Sequence, residues 1–127
     1  MQHRLLLGDG APVRLAGPQR IGLSVDYRFA VLPDPAGVFA ANRERYEFTI
    51  EALETGREIL SFHLHVGQPG SPHLHIGSGA GPLLPPLQRA HVPTGFVALE
   101  QVLRFLIEDF GVRSLRPDWR AILTPAN

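Results

Sequence analysis

The most informative absence in this sequence of 127 residues is cysteine, of which there is none. Disulfides and thiolate metal ligands are therefore excluded, and any metal ion must be held by histidine or carboxylate side chains. Lysine is missing as well, because all twelve basic residues are arginine. Schiff-base chemistry and the lysine of a phosphate-binding P-loop are therefore excluded too.

Long apolar runs and an excess of charge of one sign are also lacking. No stretch approaches the roughly 20 apolar residues of a membrane helix, and the first apolar run is too short for a signal peptide. Twelve arginines balance twelve acidic residues, which argues against a general nucleic-acid or membrane binder but leaves a local basic patch open. We therefore expect a cytoplasmic protein with no membrane partner.

The sequence does contain the segments of one domain, which we expect to span residues 1–127. Apolar and polar residues alternate in four segments, which predicts half-buried strands over 24–31, 45–53, 60–66 and 73–77. A short strand precedes them at 4–7 or 13–15. Apolar residues at helical spacing predict an amphipathic helix over 98–110. The predicted fold is α+β, an antiparallel meander of four to five strands with this long C-terminal helix packed on the apolar face.

Four histidines lie within residues 60–79, in two copies of His-Leu-His around a Gly/Pro-rich loop. The preceding turn, Glu54-Thr55-Gly56, suits a three-residue hairpin loop with glycine in the left-handed region. The register that this turn sets places apolar residues opposite each other. It also predicts two polar pairs, Glu47 opposite His63 and Arg45 opposite His65.

The second hairpin brings the two His-Leu-His copies together. Pairing Val66 with Pro72 leaves a loop over 67–71, and a slip of one residue would mix leucine with histidine on both faces. Cβ atoms of directly paired residues lie about 4.5–5.5 Å apart, so the imidazoles of such pairs can share a ligand. This register predicts His65 opposite His73 and His63 opposite His75. The polar sheet face then carries Arg45, Glu47, His63, His65, His73 and His75.

Two chemical interpretations of this cluster stay open. In the first, His63, His65, His73 and His75 bind a divalent transition metal, zinc before others, and Glu47 is a ligand or orients one. Three histidines and an open position make a hydrolytic or oxidative centre. In the second, metal-free acid–base catalysis cleaves a phosphodiester such as RNA, with Arg45 or Arg89 holding the phosphate. Its catalytic residues come from His63, His65, His73, His75, Glu47 and Arg45.

A non-catalytic interpretation competes with both. The histidines can line a face that is solvated, or one that is buried in a homodimer or in a contact with a partner protein. Among the remaining polar residues, we expect His91 to cap loop backbone, because it reaches the cluster only if the loop 77–95 folds back. The alternating pattern allows Asp26 and Arg28 to lie on the same polar face, but the sequence does not show where their strand lies in the sheet.

The order of segments between residues 44 and 111 resembles a known family. An aromatic-rich strand RYEFTI, a tight turn ETGRE, the histidine hairpin and a closing helix ALEQVLRFLIEDF follow one another. This layout is similar to that of the TumE-type toxins of prokaryotic toxin–antitoxin systems. The resemblance implies a small intracellular bacterial growth inhibitor of α+β build, neutralised by an antitoxin-like partner, with RNA as a candidate substrate. The predicted function is a metal-binding or phosphodiester-cleaving site in a toxin-like module.

Overall fold

The computed structural model describes residues 2–65, 72–83, 86 and 90–124. It is a mixed α+β structure with one antiparallel sheet and one helix of more than two turns. None of the helices formed by the described residues is long and apolar enough to cross a membrane. The elements, in chain order, are β1 (Gln2–Leu6), β2 (Val13–Arg14), β3 (Ile21–Pro33), β4 (Phe39–Ala52), β5 (Glu58–Leu64), β6 (His73–Ile76), β7 (Val92–Pro93), α1 (Leu99–Phe110) and α2 (Trp119–Ile122).

The strands from β3 to β7 form a meander in which each strand pairs with the next. Strands β1 and β2 both pair with β3, β2 near its start and β1 with its central part, and they act as one edge strand that a 3-10 turn at Leu7–Gly10 interrupts. The described residues therefore form a sheet of seven strands, whereas the sequence predicted four to five. The difference arises because both N-terminal segments are strands, and because β7 has only two residues, too few to show alternation.

Alternation gives the sheet one apolar face, and the predicted helix is α1, which packs on it. Val102 and Leu106 of the helix lie in one buried cluster with Tyr46, Phe48 and Ile50 of β4. Each large apolar side chain that is fully buried stabilises the fold by about 1.5–3 kcal/mol. The Tyr46 hydroxyl also accepts a hydrogen bond from the Val97 N–H at 3.1 Å, which fixes the helix start to the sheet. The polar side chains of the strands lie on the opposite face.

The predicted register between β4 and β5 is confirmed at the paired residues of the candidate site. Glu47 pairs with His63, and apolar pairs lie on either side of this position. Gly56 has a φ of 68°, the left-handed conformation that the turn requires. The paired ladder ends at Tyr46 and Leu64, so the predicted pairing of Arg45 with His65 lies just beyond its end.

The register between β5 and β6 differs from the predicted one by two residues. His63 pairs with His73, and Ser61 pairs with His75; the predicted pairs, His65 with His73 and His63 with His75, were wrong. A slip of two residues keeps every side chain on its own face, so alternation cannot detect it. The predicted loop 67–71 and its closing residue Val66 lie outside the described residues.

Gly77 ends β6 in close contact with the start of β5. Its N–H donates to the Ile59 carbonyl at 2.9 Å. A Cβ atom at this position would overlap the Glu58 backbone carbonyl. The irregular start of β5 therefore accepts only a glycine opposite it, a requirement that Gly77 meets in the observed register and Gly79 would meet in the predicted one.

Candidate metal centre

Three histidines of β5 and β6 form a compact group on the polar face. The ring centroids of His63 and His73 are 5.5 Å apart, and His75 lies 4.6 Å from His63 and 4.9 Å from His73. One possible coordinating atom from each residue lies within 4.8 Å of those of the other two. Zinc binds imidazole nitrogen at about 2.0–2.1 Å, so small rotations of the rings bring these three residues to a common ion.

The other predicted site residues flank this group on the β4 side. His65 Nε2 lies 3.3 Å from His63 Nδ1 and 3.6 Å from Glu47 Oε1. Arg45 Nη2 lies 3.6 Å from the same carboxylate oxygen. Glu47, His63 and His65 form a second group with coordinating atoms within 4.8 Å. The structure therefore brings all six predicted residues together, with His65 in contact with His63 but grouped with Glu47 rather than with His73 and His75.

Two hydroxyl residues, which the sequence analysis did not select, hold the ring of His63. The hydroxyl oxygen of Ser61, a fully buried residue, lies 2.6 Å from His63 Nε2 and 2.9 Å from Thr49 Oγ1. Thr49 and Ser61 are directly paired on β4 and β5. The register predicted from the turn already places them opposite each other, so the signal for this contact was present in the sequence.

Burial keeps two of the histidines neutral. Removal from water lowers the pKa of His63 to about 4, and the imidazoles of His75, His65 and His73 lower it further while Glu47 opposes them. The pKa of His75 is also lowered, first by burial and then by His91 and His73. Because a metal binds only the neutral imidazole, both residues offer a lone pair at neutral pH.

A fifth histidine, His91, joins the cluster from the residue that precedes β7. Its ring centroid lies 4.6 Å from that of His75 and 4.8 Å from that of His73. The expectation that it caps loop backbone away from the cluster was wrong. The segment His91-Val92-Pro93 does alternate, but its strand is too short to be recognised from sequence.

A row of three arginines crosses the same face beside the cluster. Arg4 pairs with Arg28, and Arg28 pairs with Arg45. Arg4 donates two hydrogen bonds to Asp26, at 3.0 and 2.9 Å, whereas Arg28 forms no ion pair with any described residue. Directly opposed like charges destabilise a sheet, so an anion bound here would relieve the repulsion. The other candidate anion contact, Arg89, lies outside the described residues.

A cavity of about 300 Å³ adjoins the cluster through Glu47 and Thr49. Asp9, Ser24 and Asp26 lie on its other side, so it is lined by hydrogen-bonding groups. Its volume is at the lower end of the range for small-molecule sites. None of the described histidines lines this cavity, which lies next to Glu47 on the side of β3.

No protein-family model matches this chain. No curated protein and no solved structure matches it either. The likeness to TumE-type toxins is thus neither supported nor contradicted by relatives, and the function has to be inferred from the site.

Proposed function

We propose that the protein binds a divalent transition metal, zinc in the first place, through His63, His73 and His75, and uses it to hydrolyse phosphodiesters. The observation that carries the proposal is the three-histidine group, whose coordinating atoms lie within 4.8 Å of one another. Three histidines with an open fourth position are a ligand set of catalytic zinc sites. Nitrogen ligands also suit copper and nickel, so the ligand set favours zinc without excluding these ions.

The contact between Ser61 and His63 supports this assignment. We place the ring proton of His63 on Nε2, where it is donated to the Ser61 hydroxyl 2.6 Å away. Nδ1 then keeps the lone pair that coordinates the ion. Hydrogen bonds of this kind orient metal-binding histidines and raise their basicity.

The flanking residues supply the proton transfers that hydrolysis needs. A bound zinc ion provides Lewis acidity and a lowered pKa for coordinated water. We assign Glu47 to accept the proton of the attacking water as the new P–O bond forms. His65, with Nε2 3.3 Å from the coordinating atom of His63, then gives a proton to the leaving alcohol as the ester P–O bond breaks.

The arginine row favours a phosphodiester over an uncharged ester. Guanidinium groups bind phosphate oxygens through paired hydrogen bonds, and Arg28 has no ion-pair partner among the described residues. Arg45 lies between Arg28 and the histidines, because it pairs with Arg28 on β3 and contacts Glu47 on its own strand. A phosphate held by Arg28 and Arg45 would therefore lie next to the proposed ion.

Hydrolysis of bis(p-nitrophenyl) phosphate by untagged protein tests the proposal. We expect activity that a chelator removes and zinc restores, and a loss of about 100-fold or more in His73→Ala. His3→Ala is the control, because His3 stacks on Phe29 with ring centroids 5.4 Å apart and is not a member of the cluster. Full activity of the His73→Ala protein, or of the chelated protein, would rule out the metal-dependent reaction.

The toxin-like role is a further proposal, and what supports it is the order of elements between residues 44 and 111. If the protein inhibits growth by cleaving RNA, its induced expression in a bacterial host should arrest growth. His73→Ala should remove the arrest at an equal level of soluble protein. An arrest that is equally strong with this variant would contradict a toxin acting through the histidine site.

A non-enzymatic interaction domain is the second candidate function. It is favoured by the β3–β4 hairpin, at whose end Val38 and Phe39 are 62% and 70% exposed. Exposed apolar groups of this kind are typical of contact surfaces. If this candidate is right, sedimentation should show a homodimer or a complex that Phe39→Ser weakens, and His73→Ala should leave every hydrolytic assay unchanged.

A further inference from the structure

We propose that His91 is a fourth ligand of the same ion, which closes the coordination sphere in the resting protein and leaves it when a substrate oxygen binds. This inference rests on the proposed metal site formed by His63, His73 and His75. It adds a ligand from a different strand and a means by which substrate access is controlled. It also makes the site a set of four nitrogen donors.

The backbone of β7 brings His91 to the cluster. Val92 pairs with Leu74 and Pro93 with His73, so the next position along the ladder places His91 opposite His75. The Thr94 N–H donates to the Pro72 carbonyl at 3.0 Å and fixes the far end of β7. Because Val92 faces the same side as Leu74, alternation directs His91 to the polar face.

Contacts on both sides of His91 support a coordinating role. Its ring centroid lies 4.6 Å from that of His75 and 4.8 Å from that of His73. Its nitrogens are not within 4.8 Å of those of both neighbours, so its ring has to rotate to reach a shared ion. The backbone carbonyl of Ala90 accepts a hydrogen bond from His75. One nitrogen of His75 is thus held by the residue next to His91, and the other is left for the ion.

Exposure indicates which of the four ligands is released. His63, His73 and His75 are half-buried, whereas His91 is exposed. A zinc site with four protein ligands is closed to substrate, and one with three is open. His91 is therefore the ligand that an incoming oxygen can displace with the least disturbance of the sheet.

Substitution of cobalt(II) for the proposed ion tests the role of His91 through absorption, because four-coordinate cobalt(II) absorbs visible light much more strongly than five- or six-coordinate cobalt(II). In the untagged wild-type protein we expect the intense spectrum and weak binding of azide. In His91→Ala we expect a weaker spectrum and a cobalt affinity lower by about 10–100-fold, as for other losses around a metal. Azide should bind about 10-fold or more tightly to the opened position.

Two control variants separate the outcomes. Pro93→Ala alters the same face of β7 without removing a ligand, so it should behave as the wild type. If it reproduces the His91→Ala result, the effect comes from a change in β7 and the inference fails. If His91→Ala keeps the wild-type spectrum and affinity while His73→Ala loses them, His91 is not a ligand and the proposed function stands. If the wild-type protein binds no cobalt(II), both proposals fail.

Discussion

The Ser61 hydroxyl holds the ring of His63, the proposed metal ligand, since it lies between Thr49 Oγ1 and His63 Nε2. Removing it frees the ring of His63 to rotate and leaves the protonated nitrogen without its acceptor. We expect Ser61→Ala to lower zinc affinity by about 10–100-fold, the usual effect of losing a partner of a metal-binding histidine. Competition with a chromophoric chelator measures this affinity.

Ser24→Ala is the matched control for this variant. Ser24 lies on the same face of β3, opposite Thr49, and forms no side-chain hydrogen bond with a described residue. Its substitution should leave zinc affinity unchanged. Equal affinities in all three proteins would show that the Ser61 contact does not orient a ligand.

Acid should destabilise the metal-free protein through His63. The pKa of this residue is about 4 in the folded protein, against an ordinary value of 6.5. Between these values the unfolded chain binds a proton here that the folded chain does not, so stability falls as the pH falls through this window. The urea midpoint of chelator-treated protein should drop between about pH 7 and about pH 5. His63→Gln should make the drop shallower, and an unchanged pH dependence would contradict the assignment.

At the level of single residues, the sequence predicted that the polar site residues lie on one sheet face, but it did not predict every residue that joins them. Alternation and the Gly56 turn were enough to place Glu47, His63, His65, His73 and His75 on one face, because both signals are local. His91 was named as reaching the cluster only if the loop folds back, and was expected to cap loop backbone instead, since the strand that follows it is two residues long and its position depends on pairing with β6. Long-range pairing of so short a segment leaves no periodic signal in the sequence.

The element that positions two of the three proposed ligands is β6, and Gly77 fixes its end. A Cβ atom at Gly77 would overlap the Glu58 carbonyl, so Gly77→Ala should push β6 away from β5. We expect a loss of about 1–3 kcal/mol, as for other overpacked sites, together with weaker metal binding. Denaturation midpoints and zinc titrations of the same samples measure both effects.

Gly95→Ala provides the comparison, because a Cβ atom there meets nothing within 4 Å. It should match the wild type in stability and metal binding. If Gly77→Ala also matches the wild type, the close approach of Gly77 to β5 does not constrain the packing of β6.

The elements themselves were largely predictable. Strands β3 to β6 and helix α1 were found from alternation and helical spacing, because each buries one continuous face. The register of β6 was not, since residues on one face repeat every second position and a slip of two leaves the pattern intact. The close approach to β5 does not decide between the two registers either, because a glycine faces Ile59 in both of them, Gly77 in one and Gly79 in the other.

The two faces of the sheet have different roles, since one packs the hydrophobic core and the other carries the histidine cluster. Leu106 lies in the buried cluster with Phe48 and Ile50 on the apolar face, whereas the histidines lie on the opposite face. We expect Leu106→Ala to lower the free energy of unfolding by about 2–5 kcal/mol, the usual effect of such a cavity, measured by urea denaturation. The folded fraction should still bind zinc as the wild type does; lost binding in the folded protein would show that the two faces are coupled.

The metal content of the untagged protein tests the central claim most directly. Inductively coupled plasma mass spectrometry after dialysis against zinc should find about one tightly held ion per chain, as expected for a single site. His73→Ala and His75→Ala should retain almost none, and His3→Ala should retain as much as the wild type. A wild-type protein that holds no more metal than His73→Ala would contradict the account.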